Sequence, residues 1–333
     1  MVPPPLPTRR DVLALAAVLP ALGASAPAQT RVTARGRWPV GLVSRHVQWT
    51  SLEHAVDVAA RIGFDEIEWN VRVGGHVEPS KVERDLPRAV ELTKKAGLAV
   101  TMVTTSIQDA ASPFAEAIVA TASGLGIRVY RGGQYFRYDY SGDLRRQLEA
   151  LKPRVATLEA LNRKYNVAVA YHTHSSRGNI GGNIWDFWTV LDGFDPRFIG
   201  LNYDIGHATA RNGLGWIDGA KVAAPLIRAI AIKDFLWTKG FRDQDLALRT
   251  TEPLPPHPWG VEWRPLGEGM VDFPLFFSFL RSIRFQGPMN IHLEHDDLLG
   301  TDVGTWTLAT PESRFIEIVR HDLEFLRGAM GTA

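Results

Sequence analysis

Five short apolar stretches of this chain end in side chains that can titrate, donate or coordinate. They read Glu66-Ile67-Glu68-Trp69-Asn70, Tyr171-His172-Thr173-His174, Asn202-Tyr203-Asp204-Ile205-Gly206-His207, Ile232-Lys233-Asp234 and Asn290-Ile291-His292-Leu293-Glu294-His295. A carboxylate beside a lysine can remove a proton next to a carbonyl and hold the enolate that results. Imidazoles and carboxylates together are also donors for divalent ions. His172, His174, Asp204, His207 and Glu294 make an oxygen-and-nitrogen set suited to Mn2+, Zn2+, Co2+ or Mg2+. The chain has no cysteine, so thiolate nucleophiles, disulfides and Cys-ligated zinc or iron–sulfur sites are excluded.

Side chains alternate along a strand. Ala168, Ala170, His172 and His174 therefore share one phase, and His292 and Glu294 oppose Ile291 and Leu293. The polar phase is expected to face an interior, because the other must pack under helices. Glu294 or Glu68 is then the candidate base and Lys233 the candidate cation. Each residue also has a plainer reading. Asp204 and His207 can close a turn, and His172 and His174 can orient substrate hydroxyls without touching a metal. Lys233 and Asp234 can be a structural ion pair, and Glu68 an exposed strand-end carboxylate. His76, after Gly74-Gly75, is a weaker candidate for substrate contact. His46, His54, His257 and His321 are read as non-catalytic. The Gly-rich segment 177–183 lacks the Gly-Lys-Ser/Thr end of a phosphate loop and reads as a flexible loop.

Positioning these groups requires short strands separated by helices. Apolar, often β-branched runs place strands at 39–44, 66–70, 99–104, 128–131, 167–172, 199–204, 230–234 and 289–294. Between them lie helical patterns. The first is capped by Thr50 or Ser51 and stopped by Gly63. Others cover 81–96, 113–123, 144–161 (with Pro153 as a point of bending), 184–191, 216–228, 273–284 and 312–327. This alternation predicts an α/β fold, a single (β/α)8 TIM barrel over residues 38–328. A doubly wound sheet would favour an early Gly-rich dinucleotide turn, which is absent. The barrel reading puts the site at the C-terminal ends of the strands, where the polar residues gather. The irregular stretch 235–270, with four prolines from Pro253 to Pro258, would lie over that face.

The composition agrees with a small-molecule site. The chain has 333 residues, with 37 Lys+Arg against 36 Asp+Glu. Such a balance gives no electrostatic footprint for nucleic acid. Ten tryptophans suit a sugar-binding cleft, although core packing is the commoner use. Trp185, Trp188, Trp237, Trp259 and Trp263 are the ones that could border a cleft. Residues 1–28 read as an export signal: Arg9-Arg10, an apolar run from Val12 to Leu22, then Ala-rich sequence ending at Ala28. The paired arginines resemble a twin-arginine signal, although Ala14 stands where a lysine is usual. The run is too short for a stable membrane span. Cleavage after Ala28 would leave a chain of zero formal charge in the periplasm or outside the cell. A homo-oligomer is compatible with the sequence, which does not set the assembly state.

Taken together, the strand endings resemble the xylose isomerase-like barrels, which include sugar isomerases and epimerases, inosose dehydratases and endonuclease IV. The resemblance rests on Tyr171-His172-Thr173-His174, Asp204-Ile205-Gly206-His207, Ile232-Lys233-Asp234-Phe235, Pro265-Leu266-Gly267-Glu268-Gly269 with Asp272-Phe273, and His292-Leu293-Glu294. They look most like the sugar phosphate isomerase/epimerase group. That resemblance implies a divalent metal on a strand-five carboxylate, a strand-six Asp, a strand-seven His and a strand-eight Glu. Asp204 and Glu294 match. His172 replaces the first, and Ala231 stands where the His is usual, so His172, His174 or His207 substitutes as a ligand or Lys233 supplies the positive charge. The implied ligands are His172, Asp204, His207 and Glu294, with His174, Asp234, His292 and His76 toward a carbohydrate. The implied reaction is isomerisation or epimerisation of a sugar or keto-sugar. Elimination by a keto-glycoside lyase or dehydratase uses the same enolate, and a non-catalytic carbohydrate-binding barrel is a further alternative. A phosphodiester-cleaving enzyme fits the neutral charge poorly.

Overall fold

A computed structural model describes residues 37–133, 136–176, 178–240, 258–295, 298–302 and 305–332. The expected signal at 1–28, His257 and the prolines Pro253, Pro255 and Pro256 lie outside the described residues.

Eight parallel strands close into a barrel. They are β1 (Gly41–Val43), β2 (Glu66–Val71), β3 (Met102–Thr105), β4 (Val129–Arg131), β5 (Ala168–His172), β6 (Ile199–Asp204), β7 (Ile227–Ile232) and, after an intervening hairpin, β10 (Met289–Ile291). β1 pairs with both β2 and β10, which completes the ring. β2 and β6 are buried at every position, as strands covered on both faces must be. The sequence places α1 (Leu52–Ile62) by local chemistry: Ser51 Oγ accepts the His54 N–H at 3.2 Å, and Gly63 takes the left-handed conformation at φ 103° that ends it. The other helices are α2 (Val82–Lys95), α3 (Ala115–Gly124), α4 (Leu144–Tyr165), α5 (Ile184–Leu191), α6 (Ile205–Asn212), α7 (Trp216–Ala223), α8 (Phe273–Ser282) and α9 (Glu312–Thr332). α4 continues through Pro153.

Aromatic packing holds the outer layer to the barrel. Phe273, Phe276, Phe277 and Trp216 are buried under α7 and α8, with Trp216 edge-on to Phe276 at 5.8 Å. Each such side chain contributes about 2–3 kcal/mol of burial. A polar clasp fastens the start of the barrel to its end. Asp65 accepts from Arg37 at 2.7 Å, from the Val40 N–H at 3.0 Å and from Arg327 of α9 at 3.2 Å.

Several expected bounds need correction, among them the eighth strand, which ends at Ile291 rather than at 294, so that His292 and Glu294 follow it. The seventh strand runs from Ile227, not Ile230, and α7 ends at Ala223 rather than Arg228. Pro225 explains both, since its ring and missing N–H stop a helix one turn earlier. The stretch after it is not wholly irregular: β8 (Asp234–Lys239) and β9 (Trp259–Arg264) form an antiparallel hairpin. A further two-stranded sheet pairs β11 (Leu299–Asp302) with β12 (Thr305–Leu308). Among the described residues, no helix is long and apolar enough to cross a membrane.

Candidate active site

The alternation of strand side chains decides what enters the barrel. Met102, Ala170 and Ala229 pack together in the interior, with Val129 against them. One step of two residues further along the same strands come Thr104, His172, Ala231 and Arg131. The register sets Asp204 beside Ala231 and Asn202 beside Ala229. Lys233 follows Ala231 in the same phase, just past the end of β7. The small side chains at 229 and 231 make room beneath it.

Lys233 is 2% exposed. Its Nζ donates to Glu294 Oε2 at 2.7 Å and to His207 Nε2 at 2.8 Å, and stands 3.5 Å from Asp204 Oδ2. The Trp263 ring lies 4.7 Å away, placed there by the β8–β9 hairpin. An ammonium has only donors, so His207 Nε2 must be unprotonated, and its Nδ1–H donates to Ser175 Oγ at 2.9 Å. Burial, reinforced by His174 and Lys233, holds His207 far below the usual imidazole range. Asp204 has two tasks. Its Oδ1 caps α6 by accepting the His207 N–H at 2.9 Å. Its Oδ2 makes no hydrogen bond among the described residues and faces Lys233, His172 and His207. Burial pushes the Asp204 carboxyl up to about 6 against the pull of Lys233. Burial also works to raise Glu294, but the adjoining ammonium outweighs it and draws that group down to about 2. The Glu294 side chain is 28% exposed, so a substrate can reach it. Gly206 permits this packing, because a Cβ there would come within 2.8 Å of Lys233 Cβ.

The remaining predicted residues divide into two groups. His172, His174 and His292 join the cluster. His172 receives Asn202 Nδ2 at 3.1 Å and stacks on His292 with ring centres 5.3 Å apart. The His174 ring lies 3.8 Å from that of His207. His292 Nε2 is buried and makes no hydrogen bond among the described residues. Burial keeps His172 and His292 neutral as well, by lowering them far below the usual range.

Glu68, Asp234 and His76 do not join. Glu68 lies in the barrel wall, where Oε1 accepts from Thr104 Oγ1 and Oε2 from Asn290 Nδ2 at 2.7 Å. Neither oxygen contacts Lys233, so of the two candidate bases only Glu294 stands beside the cation. Nor is Glu68 an exposed strand-end carboxylate. Asp234 does not pair with Lys233 and is buried. Its oxygens accept four backbone N–H groups, from Phe235, Gly267, Gly269 and Val271, at 2.9–3.1 Å. It therefore fixes the 267–271 loop, and a Cβ at Gly269 would meet Asp234 Oδ1 at 2.1 Å. His76 packs edge-on to Trp69 and its Nε2 contacts the Thr50 carbonyl at 3.1 Å.

Sequence reasoning missed three contributors, His46, Arg131 and Ser175. His46, set aside as non-catalytic, is buried at the mouth, and its Nε2 accepts the Leu293 N–H at 3.2 Å. It thereby helps set the segment that carries His292 and Glu294. Arg131 is a second buried cation in the interior, close enough to lower His172, His207 and His292. Ser175 and Trp263 complete the surroundings of His207 and Lys233. A cavity of about 310 Å3 opens beside the cluster, lined by Thr173, His174, His207, Asn183 and Trp185 among others.

A divalent ion fits this donor set only in part. Donor atoms of His172, Asp204 and His207 lie within 4.8 Å of one another, and His172 Nε2 to Asp204 Oδ2 is 3.5 Å. Zinc holds such donors at about 2.0–2.2 Å. His207 Nε2, however, is already engaged by Lys233, and Ala231 offers no donor. A divalent charge about 4 Å from the ammonium would be repelled by roughly 8 kcal/mol at an effective dielectric of 20. With Lys233 in place, the residues do not accommodate the ion.

Comparison with known proteins supplies the wider setting. A family model described as xylose isomerase-like TIM barrel matches residues 56–328. No curated protein matches the chain by sequence. Among solved structures, a D-allulose 3-epimerase from Methylomonas sp. in complex with D-allulose is 16% identical, with a TM-score of 0.61 over 88% of this chain and 97% of that one. A 3-keto-D-glucoside 4-epimerase from E. coli is 14% identical, with a TM-score of 0.59 over 87% and 99%. A probable 3-DHS dehydratase from Bacillus anthracis is 15% identical, with a TM-score of 0.58 over 87% and 98%. At these identities the likeness is one of fold.

Proposed function

This chain belongs to the xylose isomerase-like TIM barrel family, and from that premise we propose that it is a sugar isomerase/epimerase-like enzyme that removes a proton next to a carbonyl of a sugar or keto-sugar. The observation that carries this reading is the 2.7 Å contact between Lys233 Nζ and Glu294 Oε2 at the barrel mouth. A carbonyl oxygen that accepts a hydrogen bond from Nζ brings its neighbouring carbon toward the Glu294 carboxylate. Glu294 takes the proton from that carbon, and the electron pair moves onto the oxygen as an enediolate. The ammonium stabilises the new charge in a site from which water is largely excluded. Return of the proton from Glu294 to the other carbon gives the isomer; delivery of a proton to the opposite face by a second donor, such as a bound water, gives the epimer. Neutral His172 and His292, with His174 beside them, are suited to orient hydroxyl groups.

In this reading the positive charge expected of a divalent ion is supplied by the Lys233 ammonium, which the chain itself provides. A second reading, elimination from a keto-glycoside, is favoured by the cavity beside His174 and His207, which gives a departing group a place to occupy. We also propose that residues 1–28 direct export. N-terminal sequencing of the exported protein should then begin at Gln29, and retention of Met1 would refute it.

The test of function is a screen of free sugars, 3-keto sugars and glycosides by NMR in D2O. Deuterium should enter at a single carbon, or a β-substituent should be lost. Sugar binding without exchange or turnover of any compound would instead indicate a non-catalytic carbohydrate-binding barrel.

A further inference from the structure

We propose that the Lys233 ammonium is the resident cation of this site, standing where a divalent ion would sit among Asp204, His207 and Glu294, so that the protein works without a metal and carries a latent metal site beneath the lysine. Three features of the structure support this. The donor atoms of His172, Asp204 and His207 converge as metal ligands would, yet the space they enclose is reached by Nζ. The distances from Nζ to Glu294, His207 and Asp204 are 2.7, 2.8 and 3.5 Å. These are lengths for N–H donation, whereas metal bonds to the same atoms run about 2.0–2.2 Å. Finally, the surroundings are built for an ammonium. Trp263 offers a ring face at 4.7 Å, Gly206 leaves room for the lysine stem, and Ala231, directly below in the same phase, adds no ligand.

In chemical terms, Nζ–H polarises the carbonyl and no oxidant, reductant or further reactant is required. The ammonium keeps its protons; in the first half-reaction one C–H bond breaks, its proton goes to the Glu294 carboxylate and its electron pair to the carbonyl oxygen. This catalytic side of the inference rests on the proposed carbonyl chemistry; the placement of the cation does not.

The purified full chain and its Lys233→Ala and Lys233→Ser variants are each dialysed against Mn2+ or Zn2+, desalted and analysed for metal. The wild type should retain a small fraction of an ion per chain, and a folded variant should rise to about one. Circular dichroism establishes which variants fold. Stoichiometric metal in the wild type would overturn the proposal, as would a folded variant that takes up none. Should neither variant fold, the wild type alone decides: its melting temperature should be the same with Mn2+, with Zn2+ and with a chelator, and a metal-dependent rise would refute the inference. These readings use no substrate, so their failure and a failure of the D2O screen are separate results.

Discussion

Glu68, within β2, and Glu294, three residues past the end of β10, are both carboxylates of the barrel, yet the chain treats them oppositely. Glu68 is fully enclosed and held by neutral partners, Thr104 and Asn290. Burial raises its carboxyl above the usual range, against the Thr104 hydrogen bond and the charges of Arg131 and Arg72. Glu294 stands at the rim against an ammonium, which draws it down to about 2. The same functional group is thus a wall component in one place and an accessible, ionised base in the other. What separates them is one lysine and access to the barrel mouth, which shows that residue type alone is insufficient to assign a role.

The largest expected effect comes from breaking the reactive side of this contrast. Glu294→Gln removes the base and keeps the shape, so kcat should fall by about 10³–10⁴ with an unchanged circular dichroism spectrum. Next is Lys233→Met, which removes the electrophile while retaining most of the volume. A loss of about 10²–10³ in kcat/KM is expected, measured by steady-state kinetics.

A third carboxylate sharpens the comparison further. Glu66, deeper in β2, is pushed up to about 7 by burial, with Thr101 opposing. Its folded form therefore holds a proton that the unfolded chain, titrating near 4.5, gives up. This group costs nothing below about pH 4.5, and stability falls as pH rises from there to about 7. The total is about 3 kcal/mol. Glu66→Gln should accordingly stabilise the protein in urea titrations at pH 8 and have little effect at pH 4.5. The smallest effect is expected at Glu68. Glu68→Gln should change kcat by less than about threefold, because its contacts are to the wall rather than to Lys233.

Much of this was legible in the sequence. The bounds of β6 and α5 match those expected from the sequence, and the gathering of polar residues at strand ends pointed to one face. What was not legible depends on contacts made by distant parts of the chain. Arg131 ends a strand of only three residues, too short to show a phase. His46 gains its meaning from Leu293, which is 247 positions away. Trp263 reaches Lys233 only because a hairpin forms within a segment that reads as irregular. The Lys233-Asp234 pair looked like one unit, but strand alternation turns the first inward and gives the second to a loop of backbone amides.

The most direct test of the account is proton exchange on a substrate or product in D2O, followed by NMR for the wild type, Glu294→Gln and Glu68→Gln. The account predicts deuterium entry at one carbon for the wild type and Glu68→Gln, and its loss for Glu294→Gln. Exchange that persists in Glu294→Gln and disappears in Glu68→Gln would contradict it.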